Sequence, residues 1–164
     1  MAETPRPYPD GLSHALGQIP SGLFILTVRK EGRSTGMLAS WVQQAGFEPP
    51  MLTVAVKRDR FVADWIQASG KFTLNQLPDG AKGLLRHFGR GFEPGSDAFQ
   101  GIEVRQEASG GPVLEEALAF LDSEVVAHLA ESDHIIFLAR VVGGELFARG
   151  TKPFLHVRGN GFHY

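Results

Sequence analysis

The sequence predicts a mainly β protein, an antiparallel barrel with a few flanking helices. Three observations lead there. Long segments alternate apolar and polar residues, as where Leu121, Val125, Ala127 and Leu129 alternate with Asp122, Glu124 and His128. Helical spacing is confined to short stretches. Strand-like and helical segments do not follow one another as the βαβ units of a parallel sheet would require.

In chain order, residues 1–9 read as a loose, proline-rich arm and residues 10–164 as one domain. Asp10 is placed to cap a short helix whose apolar stripe is Leu12, Ala15, Leu16 and Ile19. Gly22–Arg29 predicts a strand with Phe24, Leu26 and Val28 on one face, and the turn Lys30–Ser34 folds it against a second strand that starts at Gly36. In that second strand the small residues Ala39 and Ser40 interrupt the apolar run, Trp41 follows, and Pro49–Pro50 close it. A strand built only for packing would continue with β-branched residues. Met51–Val56 reads as a buried third strand, placed beside the first two, and ends in Lys57-Arg58-Asp59-Arg60. A helix through Phe61, Trp65 and Ile66 and a strand over Lys71–Leu77 follow. Gly80–Phe88 predicts a helix presenting Leu84, Leu85 and Phe88, and residues 89–101 are glycine-rich and irregular. Strands over 121–129, 134–142 and 154–158 complete the chain.

Bulk composition narrows the function classes. The chain has 164 residues, 43% hydrophobic and 21% charged, with a formal net charge of −2, so no basic surplus points to nucleic acid or an anionic membrane. It has no cysteine, which excludes disulfides, thiolate metal sites and a cysteine nucleophile. No apolar run approaches the ~20 residues of a membrane span. The polar N-terminus does not read as a signal peptide, and a cytoplasmic protein is expected.

Lys57-Arg58-Asp59-Arg60 admits two readings. It is either a solvated charged turn or, at a strand-to-helix junction with helix amides close by, a phosphate pocket. If it shares one sheet end with Ser40 and Trp41, the partner that fits is anionic, flat and aromatic. Asn75 and Gln76 interrupt an apolar strand, so they either satisfy backbone locally or face a polar ligand edge. His128-Leu-Ala-Glu-Ser-Asp-His134 holds four potential metal ligands, but alternate residues of a strand diverge, and a hairpin turn at Glu131–Asp133 is predicted instead. His134 is left as a lone imidazole near a rim. Gly89–Gly95 does not open a helix, so the dinucleotide fingerprint fails, and Walker A is absent. A nicotinamide, if used, has no domain of its own here.

Gly36–Pro50, Val54–Arg60, Phe72–Leu77, Arg86–Arg90, Phe92–Asp97, Gly111–Leu114, Ala117–Leu121, Asp133-His134 and Gly161–Tyr164 together resemble the flavin reductase-like, FMN-binding split-barrel family. The likeness is greatest to the reductase module of diflavin flavoproteins (the flavodiiron proteins). It implies a split antiparallel β-barrel, a homodimer with FMN near the subunit interface, and NADH or NADPH as co-substrate. It places Leu38, Ala39, Ser40 and Trp41 against the flavin ring and ribityl chain, and Lys57, Arg58 and Arg60 on the phosphate with Asp59 orienting an arginine. It also implies that Asn75, Gln76, Leu77, His87, Phe88 and Arg90 line the flavin, that His134 is the catalytic-site histidine near the nicotinamide, and that His163 or Tyr164 joins it in orienting the nicotinamide or in proton traffic. The chain departs from the pattern at three places, one of them Gly46, which stands where a Ser is expected. Leu38, Ala39 and Ser40 stand where many free-standing reductases carry a Thr and two Ser, and Ser132 stands where a Gly usually precedes the Asp-His pair.

On this footing Ala39 and Ser40 admit a flat ring, Trp41 is an aromatic wall, and the double proline ends the ladder at the pocket mouth. The implied activity is hydride transfer from NAD(P)H to flavin, with electrons passing on to a downstream acceptor such as an oxygenase. The alternative is an FMN-binding electron carrier without significant reductase activity. These residues hold no diiron or flavodoxin domain, so oxygen reduction at iron is not expected of them alone.

Overall fold

The computed structural model describes residues 8–164. The arm expected over residues 1–9 thus falls, as far as residue 7, outside the described residues. In chain order the elements are α1 (Asp10–Gly17), β1 (Ser21–Gly22), β2 (Phe24–Lys30), β3 (Arg33–Ala39), β4 (Val42–Phe47), β5 (Pro50–Lys57) and α2 (Phe61–Ser69). Then come β6 (Lys71–Gln76), α3 (Lys82–Gly89), β7 (Val104–Glu107), β8 (Pro112–Leu114), β9 (Ala119–Leu129), β10 (His134–Leu146) and β11 (Leu155–His156). No helix among the described residues is long and apolar enough to cross a membrane. The helix cap expected at Asp10 is taken by Pro9, and Asp10 is the first helical residue.

Seven strands form one antiparallel sheet in the order β3-β2-β6-β9-β10-β5-β4. The order carries a constraint. β3 and β4 stand at opposite edges, yet only Ser40 and Trp41 separate them in sequence. The sheet therefore has to curl until its edges meet, giving a barrel with one seam spanned by residues 40–41.

The second predicted strand is thus two strands, one on each side of the seam. β5 lies beside β4 and β10, not beside β3, and brings its charged end to the site from across the seam. Pro49–Pro50 do not border a pocket mouth. They turn the β4–β5 hairpin, in which Phe47 pairs with Pro50, at the end of β4 away from Ser40.

The barrel is filled by Leu26, Val28, Val54, Val56, Ile66, Phe72, Leu74 and Phe137, all fully buried. A second core, with Leu23, Ile25, Leu77, Leu84, Phe88 and Leu114, packs α3 and β8 on the outside of β2. β2 is buried on both faces, which is why Phe24–Val28 is apolar at every position except Thr27.

Polar side chains fasten this outer layer. Asn75 donates from Nδ2 to the carbonyls of Ile25 and Pro112, each at 3.2 Å, and accepts from Leu114 N–H at 2.8 Å. Thr27 Oγ1 donates to Pro112 O at 2.8 Å. Asp122, 7% exposed, accepts four hydrogen bonds: Thr73 Oγ1 at 2.9 Å, Gly110 N at 2.9 Å, Ser109 N at 3.0 Å and Ser109 Oγ at 2.6 Å. The β7–β8 turn is pressed so close to β6 that a Cβ at Gly110 would lie 2.3 Å from the Phe72 carbonyl carbon.

Removing the Asp122 carboxylate would strand several buried donors at once. Asp122→Ala is expected to cost about 3 kcal/mol of unfolding free energy, read as a lowered midpoint in urea.

Candidate functional site

Strand alternation at the end of β3 sorts its side chains. Ala39 points into the barrel core at 4% exposure, while Leu38 and Ser40 face a cleft outside it. The cleft encloses about 480 Å³. Its walls are apolar, built from Leu23, Met37, Leu38, Leu85, Phe88 and Phe154. Phe88 is held flat against β3 because Gly36 has no side chain; a Cβ there would meet the ring at 2.8 Å.

The rim is polar and cationic, with Ser40, Lys57, Arg60, Arg86, His156, Arg158 and Tyr164. Among the described residues no carboxylate lines it. A planar apolar ring with an anionic tail suits such a donor set, the ring against the apolar walls and the tail among the cations.

The basic turn divides its charges. Lys57, at the end of β5, and Arg60, at the N-cap of α2, reach the cleft. Arg60 also borders a hollow of about 190 Å³ at the start of α2, with Gly36, Phe61, Val62 and Gly91. Arg58 does not join them. Its guanidinium donates to Ala130 O and its amide to Asp133 O at 2.8 Å, so it braces the β9–β10 turn. Asp59 orients no arginine; it pairs with Lys57 at 3.5 Å. A tight turn between strand and helix sends successive side chains in different directions, and only two of the three cations converge.

Trp41 lies on the far side of Ser40 and is not a wall of the cleft. It lines a second hollow of about 490 Å³, with Ile19, Val42, Ala55 and Ile136. Its indole sits 4.6 Å from the His134 ring and 5.7 Å from the Tyr164 ring, with the Arg158 guanidinium carbon 5.1 Å from its centroid.

His134, whose side chain is 11% exposed, does not line the cleft either. Its Nδ1 lies 2.8 Å from Asp133 Oδ1 and its Nε2 contacts Tyr164 Oη. The hydrogen bond from His134 is the largest cause holding the Asp133 carboxyl below its ordinary value of 3.8, with the Ser132 hydroxyl next. A depressed carboxyl contributes stability above its unfolded value and loses it as pH falls through the folded one, so this pair is intact at neutral pH. Desolvation pushes the Tyr164 phenol above its ordinary value, against the opposing charges of Arg60 and Arg158, and Tyr164 stays protonated at neutral pH.

The strand expected to line a flavin does not reach the cleft. Asn75 is fully buried with its amide spent on the backbone, the local reading of the two the sequence left open. Gln76 stays within the ladder opposite Phe24 and Ala119. Leu77 is fully buried but positions two wall residues, its N–H donating to Leu23 O and its carbonyl accepting from Phe154 N–H, each at 2.9 Å. On α3, Phe88 faces the cleft as expected. His87 turns away, its Nε2 at 2.8 Å from Ala98 O, and Arg90 lies over the Phe92 ring at 5.5 Å.

Sequence reasoning missed Leu23, Met37, Leu85, Arg86 and the fold-back of Phe154, His156 and Arg158. Only Leu85 and Arg86 carried a signal, sharing the α3 face of Phe88 and Gly89 by helical spacing. His128–His134 forms the β9–β10 hairpin, its turn at residues 130–133.

A barrel opened at one seam, with an apolar, cation-rimmed cleft beside it, defines a split-barrel protein of the flavin reductase type. Residues 16–163 match the flavin reductase like domain, and the chain belongs to that family. Diflavin flavoprotein A 1 of Synechocystis sp. is 39% identical over 154 residues, covering 93% of this chain and 27% of its own length. The chain therefore spans about a quarter of the length of such relatives. NADH:FAD oxidoreductase SgcE6 of Streptomyces globisporus C-1027 superposes with a TM-score of 0.83 at 27% identity, covering 98% of this chain and 95% of that one. The same oxidoreductase has been solved in complex with NAD and FAD fragments. An FMN-binding protein from Thermus thermophilus, with bound p-hydroxybenzaldehyde, superposes with a TM-score of 0.73 at 25% identity, covering 89% of this chain and 79% of that one.

Proposed function

We propose that this chain is an FMN-binding NAD(P)H:flavin oxidoreductase that passes the electrons of reduced flavin to a separate acceptor. The observation that carries the reading is the cleft itself, an apolar slot of about 480 Å³ whose charged rim is entirely cationic. Likeness to an NADH:FAD oxidoreductase and to an FMN-binding protein supports it.

In this reading Lys57 and Arg60 hold the flavin phosphate, with the start of α2 beneath it. Leu38 and Phe88 carry the ring and keep water from its face. Ser40, at the seam where the ladder breaks, offers its hydroxyl and backbone to the ring edge, and Ala39 contributes backbone alone. Arg86 and Arg158 remain for the phosphates of the dinucleotide. When bound, the flavin supplies the hydride-accepting ring system, so no side chain has to serve as nucleophile or obligatory base.

The working form is a homodimer that covers the outer sheet face. Ile19, Leu129 and Ile136 are 61%, 53% and 42% exposed, and Ile19 and Ile136 border the hollow that Trp41 lines. Apolar exposure on this scale beside a hollow is typical of an interaction surface.

Three measurements check this reading. Protein loaded with FMN should lose its visible flavin absorbance within seconds of anaerobic addition of NADH or NADPH. Bleaching only by a protein donor would instead identify an electron carrier. Arg60→Ala should weaken FMN binding about 10- to 100-fold while Arg58→Ala changes it less than about twofold, by flavin fluorescence titration. Sedimentation should give twice the chain mass, and Ile136→Asp should give the monomer.

A further inference from the structure

Tyr164 lines the cleft and His134 does not, so any group that meets a ligand through the Asp133–His134 pair does so through the phenol. With a neutral His134 ring the hydrogen bonds along this chain run in one direction. The Asp133 carboxylate has no proton to give, so His134 Nδ1–H donates to it across 2.8 Å. Nε2 of a neutral ring is then an acceptor, and Tyr164 Oη–H donates to it. The phenol proton is therefore committed inward. The oxygen turns its remaining lone pairs to the cleft and can only accept.

The phenol is placed by construction. Gly161 N–H donates to Ser13 O at 2.8 Å, and a Cβ at Gly161 would lie 2.3 Å from Leu16 Cβ, so the tail is seated directly on α1. Phe162 N–H donates to Asn160 Oδ1 at 2.7 Å, and Arg158 Nη1 donates to His163 O at 3.3 Å. Trp41 supports the Tyr164 ring from behind, and 70% of Tyr164 is still exposed.

Two separate parts of the chain line the cleft. β3 and α3 supply Leu38, Leu85 and Phe88, and the tail supplies Phe154, Arg158 and Tyr164. A flavin ring resting on the first wall leaves the tail side for a second planar ring.

We propose that Tyr164 is the residue that meets the co-substrate, accepting a hydrogen bond from the carboxamide N–H of the nicotinamide ring, with His134 and Asp133 as positioning residues behind it. This rests on the reductase reading above.

The test compares wild type with Tyr164→Phe, which keeps the ring and removes only the hydroxyl, using FMN-loaded protein. The probes are the natural dinucleotide and its 3-acetylpyridine analogue, whose methyl ketone has no N–H to donate. Tyr164→Phe should raise KM for the natural dinucleotide about 5- to 10-fold and leave kcat and FMN affinity within about twofold. KM for the analogue should not move, so the variant loses the preference between the two. The Kd of the oxidised dinucleotide, read from Trp41 fluorescence in a Trp65→Phe background, should rise by the same factor. Equal KM increases for both dinucleotides, a fall in FMN affinity as large as the rise in KM, or unchanged constants for both would each overturn the assignment. Wild-type flavin that no dinucleotide bleaches would overturn the reductase reading itself. Rapid bleaching with constants indifferent to Tyr164→Phe would overturn only the role of Tyr164.

Discussion

Two residues, Ser40 and Trp41, join strands that lie at opposite edges of one seven-stranded sheet. So short a connection leaves the sheet one way to exist: curled, with its edges drawn together. At the seam that results the chain passes from one edge of the sheet to the other without a long loop. The seam is also where side chains from both edges converge. Lys57 arrives from β5 and Leu38 from β3, though four strands lie between these two in the sheet order. Proximity around the cleft is thus a product of closure, not of neighbouring strands.

Closure builds one wall; the other depends on the outer layer staying in place. The layer packs through the second apolar core, but its strands contribute little to it, since β7 is exposed along its length and β8 has three residues. Buried polar side chains compensate. Asn75 and Asp122 have every hydrogen-bonding function engaged that the described contacts require, and a satisfied buried network fixes a single arrangement where apolar packing alone would tolerate several. α3 and Phe88 sit on this layer, so the shape of the cleft is set by carboxylate and amide groups that never touch it.

The strands with strong alternation were legible in the sequence: β2, β5, β6, β9 and β10 stand where the pattern placed them. β4 was not, because Gln43-Gln44-Ala45-Gly46 carries no apolar alternation on an exposed edge. The small β7 and β8 have no pattern to read. Of the residues lining the cleft, Ser40, Lys57 and Arg60 were legible from residue type at strand ends, and Leu38 and Phe88 only from the family resemblance. What was not legible is side-chain direction within a turn, where Arg58 and Arg60 look alike in sequence and point apart in space. Nor could local pattern show that residues 154–158 return to the cleft, since that depends on Gly161 and Arg158 docking on a helix nearly 150 positions earlier in the chain; Tyr164 was reached only through the family resemblance. Asn75 shows the converse: a polar residue in an apolar strand signals a partner without saying whether the partner is ligand or backbone.

The electrostatics follow from where the charges end up. With 16 basic and 18 acidic residues the chain has a net charge of −2, which taken alone would repel an anionic ligand. Yet the cleft gathers Lys57, Arg60, Arg86 and Arg158, and among the described residues only Lys57 of these is paired with a carboxylate, Asp59, at 3.5 Å on an exposed surface. An exposed pair contributes little and is screened by salt, so Lys57 keeps most of its field. The carboxylates meanwhile lie elsewhere, with Glu107 against Arg29, Glu115 against Arg105, and Asp122 enclosed among hydroxyl and amide donors. Low-dielectric walls of leucine and phenylalanine then concentrate the remaining positive field at the cleft mouth. A protein acidic in sum presents a basic slot, and it does so because the turn after β5 and the tail after β11 deliver their cations to the same side of the seam.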